Sequence, residues 1–328
     1  ENRRGERGLS KRAPVRPPSA PRPPRPATPR AAAGPMTSGR ELVAQAEGKL
    51  KGKGGLFGLF GGGPNYADAQ DLYQQAANQF KIAKDWNEAA NCFGQCAFCA
   101  QKQGSQNDEA NFYNDAANVL KKVSTVQAVE QWEKAVGIFS AAGNFQKAGK
   151  LLLSIAELYE SELLAPKDTK AYYKRAAEMF DLDDHGKSSL SKCNLKFAEY
   201  AAKDGEVQEA IRVFESEGEK ALQNTLLQYG AKDHFFRAGI LHLSVGDPVN
   251  IQMALDKYRS LDPRFADSRE GQLLQFLAEA FEAKDVDMFV EKLGDYDAIT
   301  KLDPWKTEFL VKVKENITGP TDGELDLS

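Results

Sequence analysis

The sequence predicts an all-α protein built as a superhelix of antiparallel helix pairs. A four-point pattern carries that reading: a ring, two small residues, then another bulky apolar residue. It recurs as Tyr73-Ala76-Ala77-Phe80, Tyr113-Ala116-Ala117-Leu120, Trp132-Ala135-Val136-Phe139 and Tyr173-Ala176-Ala177-Phe180, with weaker copies starting at Trp86, Phe145, Val207 and Ile251. Steps of three, four and seven place the four side chains on one helical face. Small residues let a neighbouring helix come close, and the rings fill the remaining volume. Tyr73 and Tyr113 are 40 residues apart and Trp132 and Tyr173 are 41 apart, room for two helices and two turns. That period belongs to a tetratricopeptide-like, right-handed superhelix, here capped by a C-terminal helical bundle. Such a solenoid offers a long curved surface to another protein and rarely performs chemistry.

The elements follow in order. Residues 1–35 form an Arg/Pro-rich leader with nine prolines and nine Lys/Arg against two Glu, which cannot bury a core and is expected to be disordered. It reads as a basic arm, as an organelle transit peptide, or as translated leader ahead of the start-like Met36-Thr37-Ser38-Gly39. The last reading is preferred, and no function is assigned to it. Residues 36–64 hold a short helix from Glu41 to about Leu50, with Leu42, Val43, Ala46 and Leu50 on its apolar side, followed by a glycine-rich loop. Seven glycines and Pro64 between residues 52 and 64 forbid a stable helix there. Residues 65–230 are the solenoid, punctuated by turns at Gly104-Ser105, Gly143-Asn144, Asp183 to Gly186 and Asp204-Gly205. Residues 231–317 are the bundle, where the repeat loosens and apolar density rises at Phe235, Phe236, Leu273, Leu274, Phe276, Leu277 and Phe281. Gly246-Asp247-Pro248 is a further turn, and Asp262-Pro263 and Asp303-Pro304 each open a helix with an Asp cap and a Pro at its first position. Residues 318–328 are an acidic, frayed tail. No useful run of alternating strand pattern occurs.

Composition narrows the function. After the leader, 34 basic and 45 acidic groups leave the chain acidic, which speaks against nucleic acid as a partner. The longest apolar runs are too short to span a bilayer. Cys92, Cys96 and Cys99 lie at i, i+4 and i+7 on one apolar helix face, and Cys193 stands apart. They read as packing cysteines in a reducing compartment, since a zinc site would need a nearby fourth ligand.

Two features carry functional chemistry. The first is the loop containing Leu56, Phe57, Leu59 and Phe60. Burying these four side chains in a bilayer gives a gross ~6–12 kcal/mol before the cost of ordering a glycine-rich segment, a weak and reversible contact. The alternative is a linker whose rings fold back on the first helices. The second feature is the lysines that recur along the repeats. If they line one face, they suit a long acidic partner; the plain alternative is solvated surface. Asp181-Leu182-Asp183-Asp184 reads as a capping turn rather than a magnesium site. No nucleophile elbow, His-Glu metal helix or dinucleotide fingerprint occurs, so neither an enzyme nor a cofactor is expected.

Local strings add a resemblance. Gly-Leu-Phe-Gly-Gly-like sequence after the first helix, residues 77–86 (ANQFKIAKDW), 154–160 (SIAELYE), 231–236 (AKDHFF), 267–270 (DSRE) and 296–303 (YDAITKLD) resemble the soluble NSF attachment proteins, the SNAP family, in their alpha type or the allied beta type. The resemblance covers about Met36 to Ser328. It implies a non-enzymatic adaptor, monomeric alone, several copies of which wrap a SNARE four-helix bundle and recruit the hexameric ATPase NSF to disassemble it. It implies SNARE contacts at Lys84, Lys121, Lys122, Lys150, Lys192, Lys196, Lys232 and Arg269. It implies membrane contact through Leu56, Phe57, Leu59 and Phe60, and NSF contact through Glu279, Glu282 and Leu327. The implied location is cytoplasmic and peripheral to membranes of the secretory and endocytic pathways. Asn144 and Ala283 depart from the family by standing where it carries charged side chains. The competing reading is a tetratricopeptide-like scaffold for an acidic helical partner in some other complex. A prenyl-transfer enzyme would need metal-binding aspartates around an enclosed apolar cavity, which the sequence does not indicate.

Overall fold

The small residues of the repeated pattern do what their size allows: they seat the ring of the next helix. The computed structural model describes residues 38–51, 63–162, 166–183 and 185–318; the leader and the acidic tail lie outside them. Among the described residues there are fifteen α-helices, one short 3₁₀ turn and no strand. The first nine are α1 (Gly39–Lys51), α2 (Tyr66–Ile82), α3 (Trp86–Lys102), α4 (Gln106–Leu120), α5 (Thr125–Ala141), α6 (Phe145–Ser161), α7 (Pro166–Asp181), α8 (Lys187–Lys203) and α9 (Val207–Leu222). Each packs on the next.

Alternate helices also meet. Lys147 of α6 donates to Asn107 of α4 at 2.7 Å, Lys196 of α8 reaches Glu160 of α6 at 2.8 Å, and Arg175 of α7 binds Glu133 of α5 at 2.6 Å. Even-numbered helices therefore form one layer and odd-numbered helices the other. The apolar faces lie between them, with Tyr73, Phe80, Trp132, Phe139, Tyr173 and Phe180 buried beside their alanines. A Cβ added to Gly149 would sit 3.0 Å from the Phe180 ring, and one on Gly39 would sit 3.0 Å from Phe80. The helices approach as far as those residues permit.

One turn geometry recurs between neighbouring helices of the solenoid. The amide five residues on bonds back to a helix carbonyl: Asp85 to Phe80 at 2.9 Å, Ser105 to Ala100 at 3.0 Å, Asn144 to Phe139 at 2.8 Å and Glu206 to Ala201 at 2.8 Å. The residue before each of those amides is left-handed. Three are glycines, Gly104, Gly143 and Gly205, the residue that takes positive φ without steric cost. The fourth is Lys84, at φ 60°.

Beyond α9 the chain gathers around α10 (Ala231–Val245). The surrounding helices are α11 (Pro248–Leu261), the short α12 (Pro263–Asp267), α13 (Arg269–Ala283), α14 (Val286–Asp297) and α15 (Pro304–Thr318). Asp262 and Asp303 accept from the amides of Arg264 at 3.1 Å and Lys306 at 2.9 Å, so both Asp-Pro pairs open helices. Phe235 stacks on Tyr258 with centroids 4.9 Å apart, and Phe265 meets both rings edge-on. Phe276 faces solvent instead of joining this core. Helix α15 returns to α8, where Trp305 Nε1 donates to the Glu199 carbonyl at 3.1 Å. Arg237 of α10 binds Glu199 at 3.1 Å, Asp233 at 3.1 Å and Asp303 at 2.8 Å, pinning α8, α10 and α15 together. The four cysteines are free and buried, and burial pushes the thiols of Cys92 and Cys193 up to about 12, so they pack as neutral groups.

Two stability outcomes follow from these contacts. A Cβ on Gly271 would lie 2.0 Å from the Phe265 carbonyl oxygen, whereas nothing lies within 4 Å of one on Gly137. In urea unfolding, Gly271→Ala is expected to cost at least about 1–3 kcal/mol and Gly137→Ala to gain up to about 1 kcal/mol.

Glu215 of α9 supplies the second. Burial raises its pKa, but hydrogen bonds from His242, Lys257 and Tyr258 outweigh burial and hold the carboxylate down at about 2. The Lys257 and Tyr258 contacts measure 2.8 and 2.7 Å. A depressed carboxylate stabilises the fold above its unfolded pKa and loses that contribution as pH falls through the folded value. Unfolding free energy should therefore drop by about 3 kcal/mol between roughly pH 5 and 2 through this residue. Glu215→Gln should flatten that part of a pH titration of stability.

Candidate partner-binding surfaces

The helix layers decide where the lysines fall. Lys150 lies on α6, Lys192 and Lys196 on α8 and Lys232 on α10, while Lys84 and the Lys121–Lys122 pair directly follow α2 and α4. Lys150, Lys192, Lys196 and Lys232 belong to even-numbered helices, and Lys84, Lys121 and Lys122 to turns that leave an even-numbered helix. The regular spacing of about 40 residues per pair thus brings cations from distant parts of the sequence onto one layer.

The structure divides these cations into two sets. Lys84, Lys121, Lys122 and Lys150 are exposed, and among the described residues no carboxylate lies within ion-pair distance of them. The others are braces. Lys192 binds Glu157 at 2.6 Å, Lys232 binds Glu270 at 3.0 Å, and Lys196 binds Glu160 at 2.8 Å and Glu199 at 3.2 Å. Burial alone would lower Lys196, but its hydrogen bond to Glu160 and the Glu199 charge outweigh burial and hold it above the usual lysine range. Glu160 also accepts from Tyr173 at 2.5 Å, tying this pair to the core of the repeat. Arg269 is half-buried at the start of α13, over the Tyr296 ring at 4.8 Å, and donates to Thr300 and, at 3.1 Å, to the Tyr296 carbonyl.

Sequence periodicity could not make this division, because Glu157, Glu160 and Glu270 come from other helices, 35 to 38 residues away from their lysines. It also missed the exposed aliphatic residues beside the unpaired cations: Ile82 next to Lys84, and Val123 and Val126 next to Lys122. An apolar residue at a turn carries no periodic signal.

Glu279 and Glu282 are exposed on α13 and border a groove of about 410 Å³ against α11. Asp256 joins them from α11, and Val249 and Met253 supply exposed apolar surface beside it. Val249, Met253 and Asp256 stand at i, i+4 and i+7, a face opposite the buried Ile251, Leu255 and Tyr258. The pairing of α11 with α13 is tertiary and was not readable from spacing. Leu56, Phe57, Leu59, Phe60 and Leu327 lie outside the described residues.

Over residues 37–318 the sequence matches the family described as "Soluble NSF attachment protein, SNAP". The chain belongs to that family. The match starts two residues before α1 and ends with the last residue of α15, so it takes in every helix of the solenoid and bundle. Similar proteins include the alpha-soluble NSF attachment protein of Mus musculus, 39% identical over 87% of this chain and 97% of its own length. The beta-soluble NSF attachment protein of Bos taurus is 38% identical over 88% and 96%. A probable vesicular-fusion protein sec17 homolog of Schizosaccharomyces pombe is 34% identical over 86% and 97%. The family resemblance carried by the local sequence strings is thereby established for the whole helical unit.

Lys84 gives a test within this geometry. A left-handed conformation costs a side-chain-bearing residue about 1–2 kcal/mol, partly recovered in glycine against its greater freedom when unfolded. Lys84→Gly is expected to raise the urea midpoint by the equivalent of up to about 1 kcal/mol, and Lys84→Ala to leave it near its starting value.

Proposed function

We propose that this chain is an adaptor that attaches to assembled SNARE four-helix bundles and presents them to the ATPase NSF for disassembly, in support of vesicle fusion. The observation that carries the reading is the SNAP-family match over residues 37–318, with relatives named as NSF attachment and vesicular-fusion proteins. The layer of even-numbered helices supports it: Lys84, Lys121, Lys122 and Lys150 are cations without an ion-pair partner among the described residues, and a rod with acidic side chains along its length would complete them. The aliphatic residues beside them suit the apolar positions that interrupt charge on a helical bundle. Lys192, Lys196, Lys232 and Arg269 would meet the same partner while also bracing the repeats.

In this reading residues 65–230 grip the bundle and residues 231–317 face NSF, whose basic side chains would meet Glu279, Glu282 and Asp256, with Leu327 in the tail aiding stimulation. The segment 36–64 brings Leu56, Phe57, Leu59 and Phe60 to the membrane that anchors the SNAREs. Several copies would act on one bundle, and the protein would work at the cytoplasmic face of membranes as a peripheral component. Hydrolysis belongs to NSF, and this chain contributes attachment without chemistry of its own.

ATP-driven disassembly of a purified SNARE bundle by NSF, with and without this protein, tests the reading. Disassembly is expected only in its presence. Lys150→Glu should weaken bundle binding about tenfold at physiological salt, with unchanged helicity and melting. Binding that survives Lys150→Glu combined with Lys121→Glu and Lys122→Glu would remove the even-numbered layer from the mechanism.

A further inference from the structure

A groove of about 950 Å³ runs between α3 and α5 on the odd-numbered layer, so it is not part of the layer that carries Lys150, Lys192 and Lys196. Along one wall stand Asn87, Asn91 and Gln95, one turn apart. Gln127 and Gln131 repeat that spacing on the other wall. Among the described residues, nothing hydrogen-bonds the side chains of Asn87, Asn91, Gln95 or Gln127. A side-chain amide offers donors and acceptors together, the complement of a peptide group. A bound helix would satisfy its peptide groups internally and leave these rows unused, whereas an extended chain would pair with them.

Charge and shape narrow the occupant. Glu88 and Glu130, with Glu47 of α1 (itself 3.6 Å from Lys51), border the groove against Lys134, whose ammonium lies over the floor ring of Tyr113, 5.3 Å from its centroid. An anionic lipid surface or an acidic helix would be repelled, and a basic segment attracted. Gly94 sits in the middle of α3 and opens on the groove, with nothing within 4 Å of a Cβ built there. No packing need accounts for a residue that weakens a helix at that point. Its bare backbone keeps the wall low where another main chain would lie. Tyr113, the one leading ring of the four strong repeat copies that is only half-buried, is exposed by the same opening.

We propose that the α3–α5 groove binds an extended segment of a partner protein that carries basic side chains. Its main chain lies against the two amide rows and its cations meet Glu47, Glu88 and Glu130. This surface is separate from the lysine-bearing layer, so both can be occupied at once.

The test is fluorescence anisotropy with the full chain at physiological salt, using a fluorescein-labelled octapeptide of alternating Arg and Ser beside one of alternating Glu and Ser. Saturable binding of the Arg peptide, in the range of tens of micromolar (about 6 kcal/mol), is expected, with none for the Glu peptide. Glu88→Gln with Glu130→Gln should weaken it at least about tenfold. Gly94→Leu should do the same by filling the groove, and it raises helix propensity, so a melting curve will show the fold retained. A second odd-layer groove, of about 310 Å³ between α7 and α9, is lined by Glu178 and Asp181; Glu178→Gln with Asp181→Asn makes the same charge change there and should leave binding unchanged. Failure of the unsubstituted chain to bind overturns the proposal. So does equal weakening by the α7–α9 control, which would reduce the effect to general charge attraction, or full binding by the Glu88/Glu130 variant.

Discussion

Close approach between neighbouring helices is the constraint on which the rest depends. It is set by paired small residues that receive a ring from the next helix. Phe180 rests where Gly149, of the Ala148–Gly149 pair, has no side chain, and outside the repeat Phe80 rests likewise over Gly39 at the start of α1. With the layers held that near, side chains one helix pair apart come within hydrogen-bond distance, and the ion pairs from Lys192 to Glu157 and Lys196 to Glu160 become possible. A larger residue in the pair would separate the layers and lose those braces together. Interior packing therefore fixes the spacing of charge on the outside, which a rod-shaped partner would need to match over several turns.

Much of this was legible in the chain because the repeat writes its packing into local spacing. Tyr173, Ala176, Ala177 and Phe180 predict a buried face, and that face is buried. Gly104, Gly143 and Gly205 announced their turns because left-handed backbone selects for glycine. Lys84 concealed the equivalent turn by taking the same conformation without the usual residue. Lys284, at φ 55°, does the same before α14, where the Asp285 amide bonds back to Ala280 at 2.9 Å.

What spacing could not reveal lies between elements. Nothing within α8 says that Lys196 meets Glu160 or that Lys192 meets Glu157, because those carboxylates sit about 35 residues away on another helix. Nothing within α13 says that Asp256 of α11 lies beside Glu279 and Glu282. Phe276 misled for the converse reason: apolar density suggested core, but its turn of the helix points outward, near the Lys292 ammonium. Periodicity reports which face is buried and is silent on what that face meets.

The division of the cations bears on how a grip can be firm and still reversible. A partner carboxylate that approaches Lys196 must share it with Glu160 and Glu199, so one ion pair largely replaces another and little free energy is gained. A carboxylate at Lys150 displaces only water, and such an exposed pair is worth about 0–1 kcal/mol. Neither kind of contact binds tightly alone. If the layer grips a rod as proposed, affinity would come from the number of contacts along it and would fall quickly when any part of the rod is drawn away. That dependence on simultaneous contact suits an adaptor that must hold a bundle while force is applied and release the separated strands afterwards.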